Sequence, residues 1–292
     1  MARPAITIVE VGPRDGLQNE PRAVSTTDKI ALITRLADAG LKRIEATAFV
    51  SPRWVPQMAD HAAVMAGVPR RPGLILSALV PNDRGAEAAL AAGAGELAVF
   101  AAASETFSRR NTNGTIAEVL ARFAPVVARA RQAGVPVRGY LSCALDCPYE
   151  GPVAPEAVAR LARALDALGC GEIALADTIG RGTPERTAAM IEAVKADVPV
   201  TRLAGHFHDT GGGALANVAA ALALGVTVFD SAVSGLGGCP YAPGAAGNLA
   251  TEALVRWLEA QGYATGVDMA ALDATARWVR ARLAAGEPMA GR

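Results

Sequence analysis

Hydrophobic and polar positions along the chain follow two alternating periods. Short apolar runs begin near Ile6, Arg43, Leu74, Leu97, Val137, Glu172, Leu203 and Thr227, as expected of strands buried on both faces. Between them lie longer Ala- and Leu-rich stretches of helical period: Thr27 to Ala39, Asp83 to Ala92, Ile116 to Ala133, Pro155 to Leu168, Pro184 to Ala196 and Ala214 to Leu224, with Asn248 to Ala260 after the last strand. Gly or Pro punctuates nearly every junction, which marks the turns. Eight β-then-α units in roughly 250 residues predict a (β/α)8 TIM barrel. No linker or charge run divides the chain, so 1–292 is expected to be a single catalytic domain. Met269 to Leu283 predicts an extra C-terminal helix outside the barrel or over one end. A doubly wound open sheet is the alternative, but the first turn, Gly12-Pro-Arg-Asp-Gly16, lacks the G-x-G-x-x-G phosphate fingerprint.

A barrel builds its site at the C-terminal ends of its strands, so position along each unit carries chemical information. Leu203-Ala-Gly-His206-Phe-His208-Asp209 holds two of the three histidines. Strand alternation puts His206 and His208 on one face and Phe207 on the other. Arg14 and Asp15 end the first strand, Glu45 lies on the second, and Asp177 ends the sixth. A carboxylate from strand 1 and two imidazoles from strand 7 suit Mg²⁺, Mn²⁺ or Zn²⁺, and both strands neighbour strand 8. Blander readings stand beside these: a hydrogen-bonded histidine pair, a local Arg14–Asp15 turn ion pair, and a helix N-cap at Asp177.

The stretch after strand 8, Gly235 to Asn248, is long and glycine-rich, which predicts a mobile active-site cover over 235–248. Cys239 within it is either an acid/base thiol or an inert one. Asn248 either caps the next helix or turns its amide oxygen to the metal. Cys143 and Cys147 are expected to pack.

Composition narrows the classes. Hydrophobic residues make up 51% of 292, ample for a large core, and Lys+Arg and Asp+Glu are both 28. That balance points away from nucleic acid and toward small molecules. The four cysteines show no paired spacing, consistent with a reducing compartment. The N-terminus runs straight into a strand-like segment, so no targeting peptide is expected and the cytoplasm is the expected location. No apolar run approaches the ~20 residues that span a bilayer.

Seven segments together resemble one family. Val9-Glu-Val-Gly-Pro-Arg-Asp-Gly-Leu-Gln-Asn-Glu20, Phe49-Val-Ser-Pro-Arg-Trp-Val-Pro-Gln-Met58, Arg138-Gly-Tyr-Leu-Ser-Cys143, Cys147-Pro-Tyr-Glu-Gly151, Asp177-Thr-Ile-Gly180, Gly205-His-Phe-His-Asp-Thr210 and Gly235-Leu-Gly-Gly-Cys-Pro-Tyr241 are similar, in order, to the motifs of the 3-hydroxy-3-methylglutaryl-CoA lyases. The resemblance covers nearly the whole chain. It implies a DRE-TIM metallolyase barrel that cleaves 3-hydroxy-3-methylglutaryl-CoA with a divalent metal, Mg or Mn, and an acyl-CoA as its small-molecule partner. It also implies Asp15, His206, His208 and Asn248 as metal ligands, Arg14 as the group that stabilises an enolate, and Cys239 as the loop acid/base. Glu10, Glu45 and Asp177 match positions the family uses around its site, and His206 joins the catalytic group. A homodimer is the expected assembly, with no nucleic acid and no membrane.

The chain departs from the family pattern at several positions. Gly211-Gly212-Gly213 stands where Tyr-Gly-Gln is usual, Ala48 and Ala174 where serine is common, Ala176 where glycine is, and Asp146 where glycine is usual. The tail after Leu283 also differs. Loss of a ring and of hydroxyls predicts a wider, less polar pocket, hence a related 3-hydroxyacyl-CoA such as citramalyl-CoA or a longer-chain analogue as the alternative substrate. An acyl-CoA-binding barrel without turnover is the third reading. Retention of Arg14, Asp15, His206, His208, Cys239 and Asn248 together argues against it.

Overall fold

The structure is a computed structural model that describes residues 4–237 and 247–286. Eight parallel strands close into a barrel: β1 (Thr7–Glu10), β2 (Arg43–Ala48), β3 (Ile75–Leu79), β4 (Glu96–Ala102), β5 (Val137–Ser142), β6 (Glu172–Asp177), β7 (Leu203–Phe207) and β8 (Val228–Ser231). Around the ring the order is β1, β8, β7, β6, β5, β4, β3, β2. Every strand therefore lies beside its sequence neighbours, and β8 closes on β1 with Thr7 opposite Val228. The helices are α1 (Thr26–Asp38), α2 (His61–Gly67), α3 (Asp83–Ala91), α4 (Glu105–Thr112), α5 (Ile116–Gln132), α6 (Pro155–Leu168), α7 (Pro184–Lys195), α8 (Ala214–Ala223), α9 (Thr251–Ala260) and α10 (Met269–Ala285). A two-stranded ribbon, Asp146–Cys147 with Gly151–Pro152, follows β5.

Local chemistry starts and stops the helices where the sequence suggests. Ser25, Asn82, Ser104, Thr115 and Thr183 each accept a backbone N–H as N-caps, and Thr115 with Glu118 forms a full capping box. Gly169 ends α6 at φ 106°, left-handed backbone that a Cβ disfavours. The predicted strand starts fall within one residue of the observed ones. Helix α9 begins at Thr251 rather than Asn248, because residues 248 and 250 are extended and bridge to His208 and Ala232. Helices α2 and α4 are additions to the predicted set, too short to show a period in the sequence. The C-terminal α10 packs outside the barrel, with the Arg35 guanidinium 4.9 Å from the Trp278 ring centroid and Arg280 Nε donating to Ser234 Oγ.

The barrel interior is not wholly apolar. Arg43 on β2 pairs with Glu96 on β4 at 2.9 Å and with Glu172 on β6 at 2.9 Å. Strands β2, β4 and β6 are not neighbours, so these side chains meet across the barrel, as a layer drawn from alternate strands does.

Candidate active site

Strand β1 ends in a tight turn, Gly12–Gly16, that brings Arg14 and Asp15 to the C-terminal rim. Buried Glu10 organises this turn. Its Oε1 accepts from the N–H groups of Gly12 and Val233, both at 2.8 Å, and its Oε2 accepts from Thr251 Oγ1 at 2.6 Å. The carboxyl thereby stitches the β1 turn to the segment after β8 and to the start of α9. Burial outweighs these hydrogen bonds and pushes its pKa up to about 7.

Arg14 is almost completely buried. Its Nε donates to Glu45 Oε2 at 2.6 Å and its Nη1 to Asp15 Oδ1 at 2.7 Å. Burial disfavours the cation, but Glu45 and Asp15 more than offset it, so Arg14 stays charged. The expected turn ion pair between Arg14 and Asp15 is therefore present. Glu45 sits behind Arg14, its Oε1 buried without a hydrogen-bond partner among the described residues, and burial raises its pKa.

One ligand atom each from Asp15, His206 and His208 lies within 4.8 Å of the others. Strand alternation has its expected effect: the two imidazole centroids are 5.3 Å apart, while Phe207 is buried on the other face. Burial alone would protonate Asp15, but Arg14, His206, His208 and the Asn248 amide hold it well below the usual carboxylate range. Burial, followed by the neighbouring His206, pushes His208 down to about 4. Its Nδ1 is buried with no hydrogen-bond partner among the described residues. An ionised carboxylate, a neutral imidazole and an orphaned ring nitrogen at one point fit a divalent cation.

Asn248 reaches the same point from the other side. Its Nδ2 donates to Asp15 Oδ2 at 2.8 Å and to Leu236 O at 3.0 Å. It caps no helix, since α9 opens at Ala250 without a side-chain cap. An amide carries its oxygen on the same carbon, so a turn of the amide group exchanges the donor for a ligand atom. Asp177 accepts from the N–H groups of Arg181 at 3.2 Å and Gly182 at 2.8 Å. It thus shapes the β6 loop, while Thr183 is the N-cap of α7. Cys239 lies outside the described residues. Cys143 and Cys147 are buried, as expected of packing residues.

A cavity of about 900 Å³ opens over these groups. Arg14, Asp15, His206 and His208 line its inner end, with Tyr140, Thr178 and Ala176, whereas Arg109, Arg110, Asn113 and Arg122 line another part with Trp54. The basic residues come from α4 and α5, and the dibasic Arg109-Arg110 pair is their sequence signal. Among the described residues that depart from the family pattern, only Ala176 lines the cavity. Ala48 and Ala174 are fully buried, and Gly211 and Gly212 are exposed, with Gly212 at φ 71° and open space where a Cβ would sit. Gly212, Gly213, Ala48 and Ala174 are thus set back from the cavity lining.

With this geometry in place, comparison with known proteins gives a consistent result. Residues 5–279 match the family model described as HMGL-like. The chain belongs to the HMGL-like family. It is 58% identical over 268 residues to the hydroxymethylglutaryl-CoA lyase of Pseudomonas mevalonii, covering 92% of this chain and 89% of that one. A Pseudomonas aeruginosa relative named 3-hydroxy-3-isohexenylglutaryl-CoA/hydroxy-methylglutaryl-CoA lyase is 57% identical over 267 residues, 91% of this chain and 89% of its own. The crystal structure of the HMG-CoA lyase from Brucella melitensis superposes with a TM-score of 0.94 at 55% identity, covering 96% of this chain and 99% of that one. This HMGL-like chain therefore shares both its barrel and its sequence with carbon–carbon lyases.

Proposed function

We propose that this protein is a metal-dependent lyase that cleaves 3-hydroxy-3-methylglutaryl-CoA to acetyl-CoA and acetoacetate. The observation that carries the reading is the convergence of Asp15, His206 and His208 beside the Arg14 guanidinium at the inner end of the cavity. Asp15, His206, His208 and Asn248 would hold the cation, with Mg²⁺ or Mn²⁺ suited to a set containing carboxylate and amide oxygens. When bound, that ion supplies a Lewis acid that lowers the pKa of the substrate hydroxyl and fixes the orientation of the acid.

The chain's own residues manage the remaining charge. Cleavage between C2 and C3 of a 3-hydroxyacyl thioester removes the hydroxyl proton and sends the bonding pair onto the thioester carbonyl, which becomes an enolate. Arg14, fixed by Glu45 and Asp15, presents a preorganised cation to that oxygen. Protonation of the enolate carbon then yields acetyl-CoA, and Cys239 is assigned as the acid/base that takes the hydroxyl proton and returns it to that carbon, within a 235–248 cover over a single catalytic domain. The basic residues Arg109, Arg110 and Arg122 along the cavity suit the phosphates of coenzyme A. The reading would place the protein in leucine catabolism, in the cytoplasm, with a homodimer as its assembly. No helix among the described residues is long and apolar enough to cross a membrane.

A second reading keeps the chemistry and enlarges the acyl group. It is favoured by the two-substrate name of the P. aeruginosa relative. Assay of the purified protein against a panel of 3-hydroxyacyl-CoA thioesters, with and without chelator, tests both. Turnover of 3-hydroxy-3-methylglutaryl-CoA that is lost with chelator and restored by Mg²⁺ or Mn²⁺ is the expected result. His206→Ala should lose metal occupancy and turnover together. Chelator-insensitive turnover, or none on any thioester, refutes the proposal.

A further inference from the structure

Asp230 belongs to none of the segments that pointed to the site, yet it is joined to a histidine that faces the cation position. In the parallel pairing of β8 with β7, Asp230 lies opposite His206, and both side chains turn into the barrel. His206 Nδ1 is 2.9 Å from Asp230 Oδ2, with both residues buried. The carboxylate is held in turn. Arg138 on β5 donates Nη2 to Asp230 Oδ1 at 2.6 Å and Nη1 to Oδ2 at 3.0 Å. The same guanidinium donates Nε to Glu172 Oε1 at 2.7 Å and Nη1 to the Tyr140 hydroxyl at 2.9 Å. Arg43 holds Glu172 from the far side. A forked, bidentate pair fixes the carboxylate plane as well as its position.

This geometry has a chemical consequence for His206. A carboxylate bound by an arginine fork only accepts hydrogen bonds, so the ring nitrogen facing it must carry the hydrogen. In neutral imidazole the lone pair then resides on Nε2. We propose that Asp230, clamped by Arg138, is a positioning residue that fixes His206 as the Nδ1–H tautomer with Nε2 presented as ligand. The inference rests on the metal reading above, though Asp230 touches neither the cation nor the substrate. It also separates the two histidines. His206 is oriented through Nδ1 by a buried charge network, whereas His208 hydrogen-bonds the Thr178 backbone and leaves its Nδ1 without a partner among the described residues. Histidine ligands are commonly oriented in this way by a carboxylate, and loss of that partner weakens metal affinity about 10- to 100-fold.

The chain has only three histidines, so a long-range ¹H–¹⁵N correlation spectrum of labelled protein contains three imidazole systems, assignable by single replacement of each. At pH 8 with Mg²⁺ bound, the native protein should show His206 protonated at Nδ1 and unprotonated at Nε2. The variant Asp230→Asn can turn an N–H₂ toward the ring, so it should lose that signature and bind Mn²⁺ about 10- to 100-fold more weakly by titration. Far-ultraviolet dichroism checks its fold. The tautomer of the native protein decides the question even where the variant does not fold. A proton on Nε2, or Asp230→Asn binding Mn²⁺ as the native protein does, overturns the proposal. A native protein that binds no Mn²⁺ removes the metal reading itself, a different failure from one that binds the ion with the wrong tautomer.

Discussion

Replacing Glu10 with Gln should change how stability depends on pH. Glu10 is fully buried, and its folded pKa is raised from 4.5 to about 7. At about 1.4 kcal/mol per tenfold change in proton affinity, that difference corresponds to about 3 kcal/mol. The sign follows from proton counting. Between pH 4.5 and about 7 the folded chain keeps this proton while the unfolded chain has released it, so stability falls as pH rises through that window. The contribution is fully present below pH 4.5 and gone above about 7. The amide side chain of the Glu10→Gln variant has no charge to bury. Its oxygen can still accept from the Gly12 and Val233 N–H groups, and Thr251 Oγ1, which also lies 2.9 Å from Ser231 Oγ, can turn its proton aside.

The variant therefore carries some constant offset in stability, but its curve lacks the Glu10 slope. Urea unfolding with chelator present, followed by dichroism at pH 5, 6, 7 and 8, gives both curves. Asp15, Asp230, Glu172 and the other shifted carboxyls are common to the two proteins and largely cancel in the difference. Stability of the native protein minus that of Glu10→Gln should fall by about 2 to 3 kcal/mol between pH 5 and pH 8. A difference that stays flat across this range would show that Glu10 is ionised throughout, and that its three hydrogen bonds outweigh burial.

The site makes three further predictions. Arg14→Gln removes the preorganised cation, so kcat should fall about 10²- to 10³-fold with KM changed far less; an equal rise in KM with kcat intact would make Arg14 a binding residue only. Cys239→Ala should lower kcat about 10²- to 10⁴-fold while Mn²⁺ affinity and Tm stay at native values, and an unimpaired kcat would reduce Cys239 to an inert thiol. Ala176→Ser narrows the cavity wall with a hydroxyl, which should shift kcat/KM about tenfold or more from larger 3-hydroxyacyl-CoA thioesters toward 3-hydroxy-3-methylglutaryl-CoA. An unchanged ratio would show that Ala176 does not touch the acyl group.

How much is legible in the sequence depends on whether a signal is local. The eight strand starts can be placed because each is a buried apolar run bounded by Gly or Pro, and His206 and His208 can be paired because strand alternation is a two-residue rule. Helix α9 starts three residues later than its pattern suggests because Asn248-Leu-Ala is compatible with a helix; only tertiary pairing with His208 and Ala232 makes it extended. Asp230 is hard to read for a related reason. One acid in the apolar run Val228-Phe-Asp-Ser231 is a visible anomaly, but its meaning lies in Arg138, 92 residues away, and in His206 on the next strand. The pocket fails in the opposite sense. The Gly211–Gly213 change is conspicuous next to the histidines in sequence, yet the turn after β7 carries it to the surface, while the inconspicuous Ala176 faces the cavity. Proximity in sequence therefore locates the candidate metal-binding groups, which sit at strand ends, but not the cavity wall around them, which loops from several units assemble.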